Sequence, residues 1–191
     1  MAITVNVENW TGGSAGSPTK SNGTTYRFRT DDSPETISVT NPIHIPPSGF
    51  NYSYFVHVAL ELTGTFTLFD NMRFYSDGTI GWTFGTGGEI RRGNRDTGDD
   101  GCPVASYFVA TGTPDDTGDE LGVTHTYFSA QTVKTASVAS DTSGSPATID
   151  SGSHTTAEST KAVVLQLKVA DDATNGAQSA ETFTFIYDVI N

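Results

Sequence analysis

Alternating apolar and polar residues predict that this chain is built from β-strands. Side chains two positions apart share one face of a strand, so residues 50–62 predict a core face that runs from Tyr52 to Leu62. The opposite face is mixed and contains Phe55, a large apolar side chain that we expect to contact something else. The same kind of pattern predicts strands over residues 2–7, 24–30, 37–40, 104–112, 123–138, 161–170 and 182–190. No window shows sustained helical periodicity.

The most aromatic stretch, residues 69–85, predicts a central hairpin. Its two short strands would be joined by a turn at residues 76–78, where Asp77 precedes Gly78. Asp-Gly between aromatic runs is a strong hairpin signal, because glycine accepts the positive φ that a tight turn needs. We therefore expect much of the large apolar surface of the chain to lie in this hairpin.

Segments rich in glycine, serine, proline and aspartate separate the predicted strands. Residues 41–49 contain adjacent prolines and predict a rigid, extended connector. Longer loops are predicted over residues 11–23, 85–103, 113–122 and 139–160.

The order of these elements predicts the fold class. About ten short strands separated by turns, with no helices between them, predict an all-β fold, an antiparallel and jelly-roll-like β-sandwich. We expect one domain over residues 1–191, with an N-terminal arm over residues 1–23 and a mobile loop over residues 139–160.

Charge and cysteine content narrow the function classes. The net charge is −12. A surface this acidic repels nucleic acid and anionic membranes, because binding to either needs clustered Lys and Arg. Cys102 is the only cysteine, so the chain cannot form an internal disulfide, and we expect a bystander thiol. The N-terminus has neither a basic region nor a long apolar run. We therefore expect a complete chain that starts at Met1 and is made in the cytoplasm.

Two acidic loops are candidates for a calcium site. Their potential ligands are Asp96, Asp99, Asp100, Asp115, Asp116 and Asp119. Neither loop has the alternating ligands, central glycine and late glutamate of an EF-hand. Aspartate is also favoured in turns for its side-chain hydrogen bonds. We therefore predict no cofactor, with calcium as the one candidate ion.

No arrangement of residues indicates a catalytic centre. The four histidines, His44, His57, His125 and His154, lack the spacing of a zinc motif on one strand. The sequence has no G-x-S-x-G nucleophile elbow and no glycine-rich phosphate loop. Glu61 is the only acid placed like an inward-pointing catalytic carboxylate, and an exposed strand face explains it equally well. We therefore predict that the protein is not an enzyme.

Segments spread over nearly the whole chain carry a resemblance to a known family. They are WTGGSAGSP at residues 10–18, YRFRTDD at 26–32, TNPIHIPPSGFNYSYF at 40–55, FDNMRFYSDG at 69–78, VASYFVATGT at 104–113, TGDEL at 117–121, VVLQLKV at 163–169 and AETFTFIYDV at 180–189. In these segments the chain resembles small all-β virion structural proteins of tailed phages. The resemblance carries over no site residues, because that family has no catalytic motif to match.

The resemblance implies a function. It implies a capsid decoration (cement) protein that binds the major capsid protein on the outer surface of the virion, commonly as a homotrimer. Under this hypothesis the candidates for partner contacts are Arg91, Arg92, Arg95, Trp10 and Phe55. The arginines belong to the long loop over residues 85–103, and long loops often carry interactions.

Two other function classes stay open. A carbohydrate- or receptor-binding module of a spike or fibre would need a surface line of aromatic rings. Trp10, Trp82 and Tyr107 are the candidates for that line, and core packing is the competing explanation for each of them. A secreted or surface-layer β-domain would need an export route, which the sequence does not indicate.

Overall fold

Two antiparallel sheets contain most of the regular structure in the computed structural model, which describes residues 2–32, 41–113 and 115–190. The strands of the described residues are β1 (Thr4–Ser14), β2 (Ser17–Asn22), β3 (Phe50–Tyr52), β4 (Val56–Thr63), β5 (Leu68–Tyr75), β6 (Glu89–Gly93), β7 (Gly112–Thr113), β8 (Thr117–Gly118), β9 (Thr135–Ser137), β10 (Ala147–Asp150), β11 (Glu158–Ser159), β12 (Val163–Ala170) and β13 (Thr184–Ile190). β7 and β8 pair with each other in a separate two-stranded sheet. The prediction of an all-β, antiparallel, sandwich-like fold is confirmed.

The larger sheet has eight strands and is organised around β12. Its order is β2-β1-β4-β12-β6-β9, with β11 paired to β4 and β3 paired to β12. Val163, Leu165 and the following odd-numbered residues of β12 face one core, and Val164 and Gln166 are buried on the other face. Because β12 has no solvent face, its sequence is a nearly continuous apolar run.

The smaller sheet, ordered β10-β5-β13, packs on one face of the larger sheet. The core between them contains Val58, Leu60, Leu62, Phe69, Met72, Phe74, Ile90, Ile149, Val163, Leu165, Leu167 and Val169. The predicted strand over residues 50–62 is present as β3 and β4, both paired with β12, and the β4 part of its core face is buried as predicted.

Residues 102–130 cover the second face of the larger sheet. They contain α1 (Leu121–Thr124) and α2 (Thr126–Ser129), each a single turn, and a 3-10 turn at Val104–Ser106. Tyr107 and Phe128 of this segment are buried against the sheet. None of the helices in the described residues is long and apolar enough to span a membrane.

This covering segment corrects two predicted strands. Most of residues 104–112 and 123–138 is not strand, because the 3-10 turn, the end of α1 and all of α2 occupy parts of these ranges. Packing of the aromatic side chains against the sheet outweighs the β-propensity of the segment, since that propensity mainly reflects fit to a half-buried pleated surface.

The predicted hairpin over residues 69–85 is wrong in its second strand. β5 is the first strand of the predicted hairpin, but its two neighbours in the sheet are β10 and β13. No strand from residues 76–85 pairs with it. The Ser76 hydroxyl donates to the carbonyl oxygens of Val138 and Asp141 at 3.0 and 3.2 Å and ties the chain there to a different segment. Gly78 has the positive φ expected of the turn, at 84°.

The glycine-rich segment belongs to β1 and β2, so the loop predicted over residues 11–23 is wrong. The arm predicted over residues 1–23 is also wrong where the structure describes β1 and β2, because both are paired strands of the larger sheet. β1 pairs with β4 on one side and with β2 on the other. The register of β1 and β2 shifts at Gly12 and Gly13, which have φ values of 55° and 68°. Glycine is required there, because a Cβ on Gly13 would lie 2.3 Å from the Ser17 carbonyl oxygen.

Three other predictions concern residues 139–160, 24–30 and 37–40. Residues 139–160 are not one long loop, because β10 and β11 lie within them and Ile149 is fully buried. Residues 24–30 form no strand, although Tyr26 and Phe28 pack on the core as their shared face predicts. The strand predicted over residues 37–40 lies outside the described residues.

A substitution at Gly93 tests the packing of α2 on the sheet. A Cβ on Gly93 would lie 2.4 Å from Cζ of the Phe128 ring, so we expect Gly93→Ala to lower the free energy of unfolding by about 1–3 kcal/mol. Urea denaturation followed by circular dichroism measures this change.

The control for this test is Gly23→Ala. Apart from the chain neighbours of Gly23, no atom of the described residues lies within 4 Å of a Cβ built on Gly23, so this variant is expected to change stability by less than about 0.5 kcal/mol. Equal stability of the two variants would contradict the close packing of Phe128 on β6.

Candidate functional site

Four of the five predicted partner-contact residues are buried within the chain. Trp10, Phe55, Arg91 and Arg92 are between 0% and 5% exposed. A side chain enclosed in this way offers almost no surface to a second molecule, so the prediction of partner contacts is wrong for these four. The two arginines lie on β6, a strand within the range 85–103 that was predicted as a loop. β6 pairs with β12 on one side and with β9 on the other.

Arg92 forms an internal ion-pair network. Its Nε and one terminal nitrogen donate to the Asp141 carboxylate at 2.6 and 3.0 Å, and the other terminal nitrogen donates to Asp100 at 2.6 Å. Burial opposes the charge of Arg92, but the two carboxylates outweigh this effect and raise the pKa of Arg92. The guanidinium therefore joins β6 to two loops and stabilises the fold.

Arg91 is held by a second polar cluster. Its Nε and one terminal nitrogen donate to Oε1 of Gln166 at 3.3 and 2.8 Å, and the other terminal nitrogen donates to Glu120 at 3.0 Å. Arg95 differs from both, since it is only half-buried and lies over the Tyr127 ring at 4.3 Å. A partner contact by Arg95 therefore stays a prediction.

The first acidic loop uses its carboxylates to hold neighbouring segments. Asp96 accepts hydrogen bonds from the backbone N–H groups of Thr132 and Val133 at 2.5 and 3.0 Å. Asp99 accepts hydrogen bonds from the Lys161 ammonium at 2.5 Å and from the Ser151 backbone N–H at 3.0 Å. Burial opposes the charge of Asp99, but these bonds together outweigh burial and lower the pKa of Asp99. These bonds are those of structural turn residues.

Carboxylates of the second acidic loop also contact other residues of the chain. Asp119 accepts a hydrogen bond from the Thr111 hydroxyl at 2.6 Å, and Asp116 lies 3.5 Å from His44. Asp115 has a positive φ of 62°. Across the described ranges, no three His, Cys, Asp or Glu side chains form a group that could hold a metal ion. The calcium hypothesis thus gains no support from the geometry.

His57 of β4 and His125 of the covering segment meet in the core between that segment and the larger sheet. Their Nε2 atoms are 3.3 Å apart, and the rings of Tyr107 and Phe128 lie 4.7 and 4.9 Å from His57 and His125, respectively. Burial lowers the pKa of His57 well below its ordinary value and lowers the pKa of His125 to about 4. Both rings are therefore neutral at pH 7, and one Nε2–H donates to the other Nε2. The pair packs the core and faces no open surface.

The remaining single-residue candidates also have structural roles. Burial raises the pKa of the Cys102 thiol to about 12, which leaves it inert as a nucleophile. Tyr107 is buried, and its hydroxyl donates to the Gly12 carbonyl oxygen at 3.0 Å. Trp82 is half-buried, and its indole N–H donates to the Ser179 carbonyl oxygen at 2.5 Å. Trp10 and Tyr107 therefore cannot serve as an exposed sugar-stacking platform.

A surface groove of about 750 Å³ is the candidate functional site. It lies where β1, β2 and β4 meet residues 150–161, and its volume is in the range of about 300–1,000 Å³ that is usual for small-ligand sites. The charged residues that line it are Glu8, Lys20, Glu61, Asp150, His154, Glu158 and Lys161.

One end of the groove contains a histidine between two carboxylates. Nε2 of His154 lies 3.2 Å from Asp150, and Nδ1 lies 2.9 Å from Glu158. Lys161 joins the same network, with its Nζ 3.3 Å from Asp150 and 2.5 Å from Asp99. Backbone hydrogen bonds of 2.9 Å in both directions connect His154 to Phe69 on β5. The network therefore ties residues 150–161 to the smaller sheet.

The other end of the groove is formed by β1, β2 and β4. The Trp10 indole N–H donates to Glu8 at 2.5 Å, and the Lys20 Nζ lies 3.6 Å from the same carboxylate. Lys20 also donates to the Ser159 hydroxyl at 2.7 Å. Glu61 accepts hydrogen bonds from the side chains of Asn6 and Asn22, and these bonds lower the pKa of its carboxyl group.

These contacts define what the groove can do chemically. Each charged side chain that lines it already has a hydrogen-bond or ion-pair partner within the chain. The arrangement offers hydrogen bonds to a polar ligand.

The sequence alone did not single out this groove. Glu8 and Lys20 belong to the hairpin predicted as an arm, Asp150 lies inside the loop predicted over residues 139–160, and Lys161 begins the strand predicted after that loop. Their proximity depends on strand pairing between distant segments, for which no local spacing motif exists.

Comparison with known proteins adds no relative. No protein-family model matches the sequence, and no curated protein and no solved structure shows significant similarity to it. The resemblance to small virion proteins therefore rests on the sequence segments alone.

The structural role of Arg92 can be measured. We expect Arg92→Met, which keeps the aliphatic volume, to lower the free energy of unfolding by about 3–5 kcal/mol, because it leaves Asp100 and Asp141 buried without their cation. Urea denaturation measures this loss. Arg73→Met is the control, since Arg73 makes one long hydrogen bond, to the Asn71 carbonyl oxygen at 3.4 Å. A loss no larger than that of the control would contradict the structural role.

The buried histidine pair predicts acid sensitivity. Because the pKa values of His57 and His125 are lower in the folded chain than the ordinary 6.5, the unfolded chain binds more protons below pH 6.5. Their contribution to stability is complete above pH 6.5 and is lost as the pH falls towards about 4. We expect the melting temperature to fall from about pH 7.5 to about pH 5, as measured by circular dichroism.

A pair of variants isolates this effect. Burial raises the pKa of Asp32 to about 6, which acts in the opposite direction over the same pH range, so the informative quantity is the difference between variants. The double variant His57→Gln/His125→Gln is expected to lose most of the acid-induced fall, and His44→Gln, at an exposed histidine, to keep it. If the melting temperature of the double variant falls with pH as steeply as that of the parent, the histidine pair is not the cause of the acid sensitivity.

Proposed function

We propose that this protein is a non-enzymatic structural protein of a virion, a decoration protein that binds the major capsid protein on the outer capsid surface as a homo-oligomer. In this role the protein binds and stabilises the capsid, which requires a rigid fold rather than a reactive centre.

The observation that carries this proposal is the pairing of the charged side chains in the groove. His154 and Lys161 both contact the Asp150 carboxylate, and Glu8 contacts Trp10 and Lys20. Charges engaged in this way stabilise the connections between strands. Such a network supports the rigid fold that a decoration role requires.

Two further features support the proposal. The segments that resemble small virion proteins of tailed phages run along nearly the whole chain, and a decoration role is what that resemblance implies. The net charge of −12 favours solubility at high concentration and fits a basic or neutral capsid surface better than an acidic one.

A carbohydrate- or receptor-binding module is the second candidate function. The groove of about 750 Å³ favours it, because its walls present carboxylate, ammonium and hydroxyl groups that can bond to a polyol. The burial of Trp10 and Tyr107 counts against it, since sugar sites commonly stack the ligand on an exposed ring.

Binding to capsid shells tests the decoration proposal. Purified protein is mixed with empty shells of the encoding virus that were prepared without this protein, and the bound fraction is measured by sedimentation. We expect saturable binding with a fixed number of copies per shell. Arg95→Ala is expected to weaken the binding and Arg73→Ala to leave it unchanged, because Arg95 is the predicted contact residue that keeps exposed surface.

The outcomes separate the two functions. Absence of binding at saturating protein concentration would overturn the decoration proposal. Binding to a glycan array, weakened by Lys20→Ala in the groove, would then favour the second candidate. Binding to shells with no glycan signal would leave the decoration role as the function.

A further inference from the structure

The four outer edges of the two main sheets are protected to different degrees. β2, at one edge of the larger sheet, contains Pro18 and Lys20, and β9, at the other edge, is only three residues long. Prolines, lysines and short strands are the usual means by which edges avoid pairing with other chains. In the smaller sheet, the backbone N–H groups of Asp100 and Gly101 donate to the outer carbonyl groups of β10 at 3.0 and 3.1 Å.

β13 is the exception among these edges. It has seven residues, TFIYDVI, with no proline, lysine or arginine. Within the described part of the chain, it pairs with β5 alone and its other side has no strand neighbour. Tyr187 and Ile190 are also among the few large apolar residues with substantial exposure, at 37% and 55%. β13 thus presents an open, apolar strand edge.

The backbone groups that face outward can be identified from the register. Phe69 on β5 uses both its N–H and its C=O for His154, on the side away from β13. Val189 is opposite Phe69, so the backbone groups of Val189 are not bonded to β5 and point to the open side. By the alternation along a strand, Tyr187 and Phe185 present their N–H and C=O groups to the same side.

We infer that β13 pairs antiparallel with β13 of a second copy of this chain, about a two-fold axis at Tyr187. Tyr187 is the midpoint of the strand, so pairing there engages all seven residues. The two three-stranded sheets become one continuous sheet of six strands. Because a two-fold interface is self-complementary, the same strand supplies both halves.

Charge complementarity favours this register over its neighbours. With the axis at Tyr187, Asp188 lies opposite Ile186 of the partner copy, and Phe185 lies opposite Val189. With the axis at Asp188, the two carboxylates would face each other, which is unfavourable between directly opposite residues. Asp188 is the only charged residue in β13, so the Tyr187 register contains no opposed pair of like charges.

The proposed interface also determines the expected strength of association. A single pair of seven-residue strands is at the small end of specific interfaces, and each chain carries a net charge of −12. We therefore expect a pair that dissociates on dilution and strengthens as salt screens the repulsion. This inference does not rest on the decoration proposal, since it is measured without shells, and it predicts a dimer where the sequence resemblance implies a trimer.

Mass measurement at increasing concentration tests the inference first. Light scattering of the full chain at moderate salt is expected to approach twice the chain mass of 20.2 kDa. Tyr187→Lys places two ammonium groups opposite each other at the axis and is expected to remain monomeric. Val133→Lys is the control, because Val133 is 55% exposed on another part of the surface, and this variant is expected to dimerise like the parent.

Disulfide trapping tests the register and does not depend on the lysine variant. The Cα atoms of Tyr187 and its copy would be about 5.5 Å apart in a hydrogen-bonded antiparallel pair, a distance that a disulfide spans. Tyr187→Cys is therefore expected to form a covalent dimer on mild oxidation. Asp188→Cys is expected to form little, because its copy lies diagonally across at more than about 7 Å. The native Cys102 is buried and does not compete.

Circular dichroism first establishes that each variant is folded. A parent chain that stays monomeric at the highest concentration would overturn the inference. So would a dimer or trimer in which Tyr187→Cys cross-links no faster than Asp188→Cys. If Tyr187→Lys does not fold, because Tyr187 packs 4.8 Å from Phe69, the two cysteine variants still decide the result.

Discussion

The rest of the structure depends on the burial of β12 on both of its faces. One face packs against the smaller sheet, and the other carries Gln166, whose side chain is 0% exposed. A buried amide is costly unless its donors and acceptors are satisfied. The Gln166 oxygen accepts from Arg91 and from the Leu121 N–H, and its nitrogen donates to the carbonyl oxygens of Ser53 and Asp119. This one side chain thereby fixes where β6, α1 and the connection between β3 and β4 meet β12.

The same requirement explains the distribution of charge in the molecule. Arg92 satisfies Asp100 and Asp141 inside the fold, and Lys161 joins Asp99 to Asp150 beside the groove. These basic residues form ion pairs within the chain, so they do not offset the negative charge of the outer surface. The interactions proposed for this protein come from backbone edges and from the shape and charge of its surface. The proposed decoration role and the proposed pairing of β13 are both of this kind.

Much of the fold could be predicted from the sequence, whereas little of the site could. The alternation in residues 50–62 and 182–190 and the apolar run in residues 161–170 correspond to strands of the structure, because strand periodicity is a local property. The segment around Tyr107 and Phe128 shows the limit of that reasoning. Its aromatic residues suit a strand equally well, and only their packing over His57 and His125 places them in turns and short helices.

The sequence by itself determined the class of the protein: an acidic, cysteine-poor, antiparallel β-sandwich with aromatic residues in its core. Periodicity, composition and turn residues are local, so they can be read without knowing which segments meet. Only the tertiary structure decided which strands pair. It buried Trp10, Phe55, Arg91 and Arg92 and brought Glu8 and Lys20 to one groove with residues 150–161. Within the described residues, it also left β13 without a second strand neighbour. Those outcomes depend on contacts between residues far apart in the chain, because hydrogen-bond satisfaction and burial are properties of the assembled sheets.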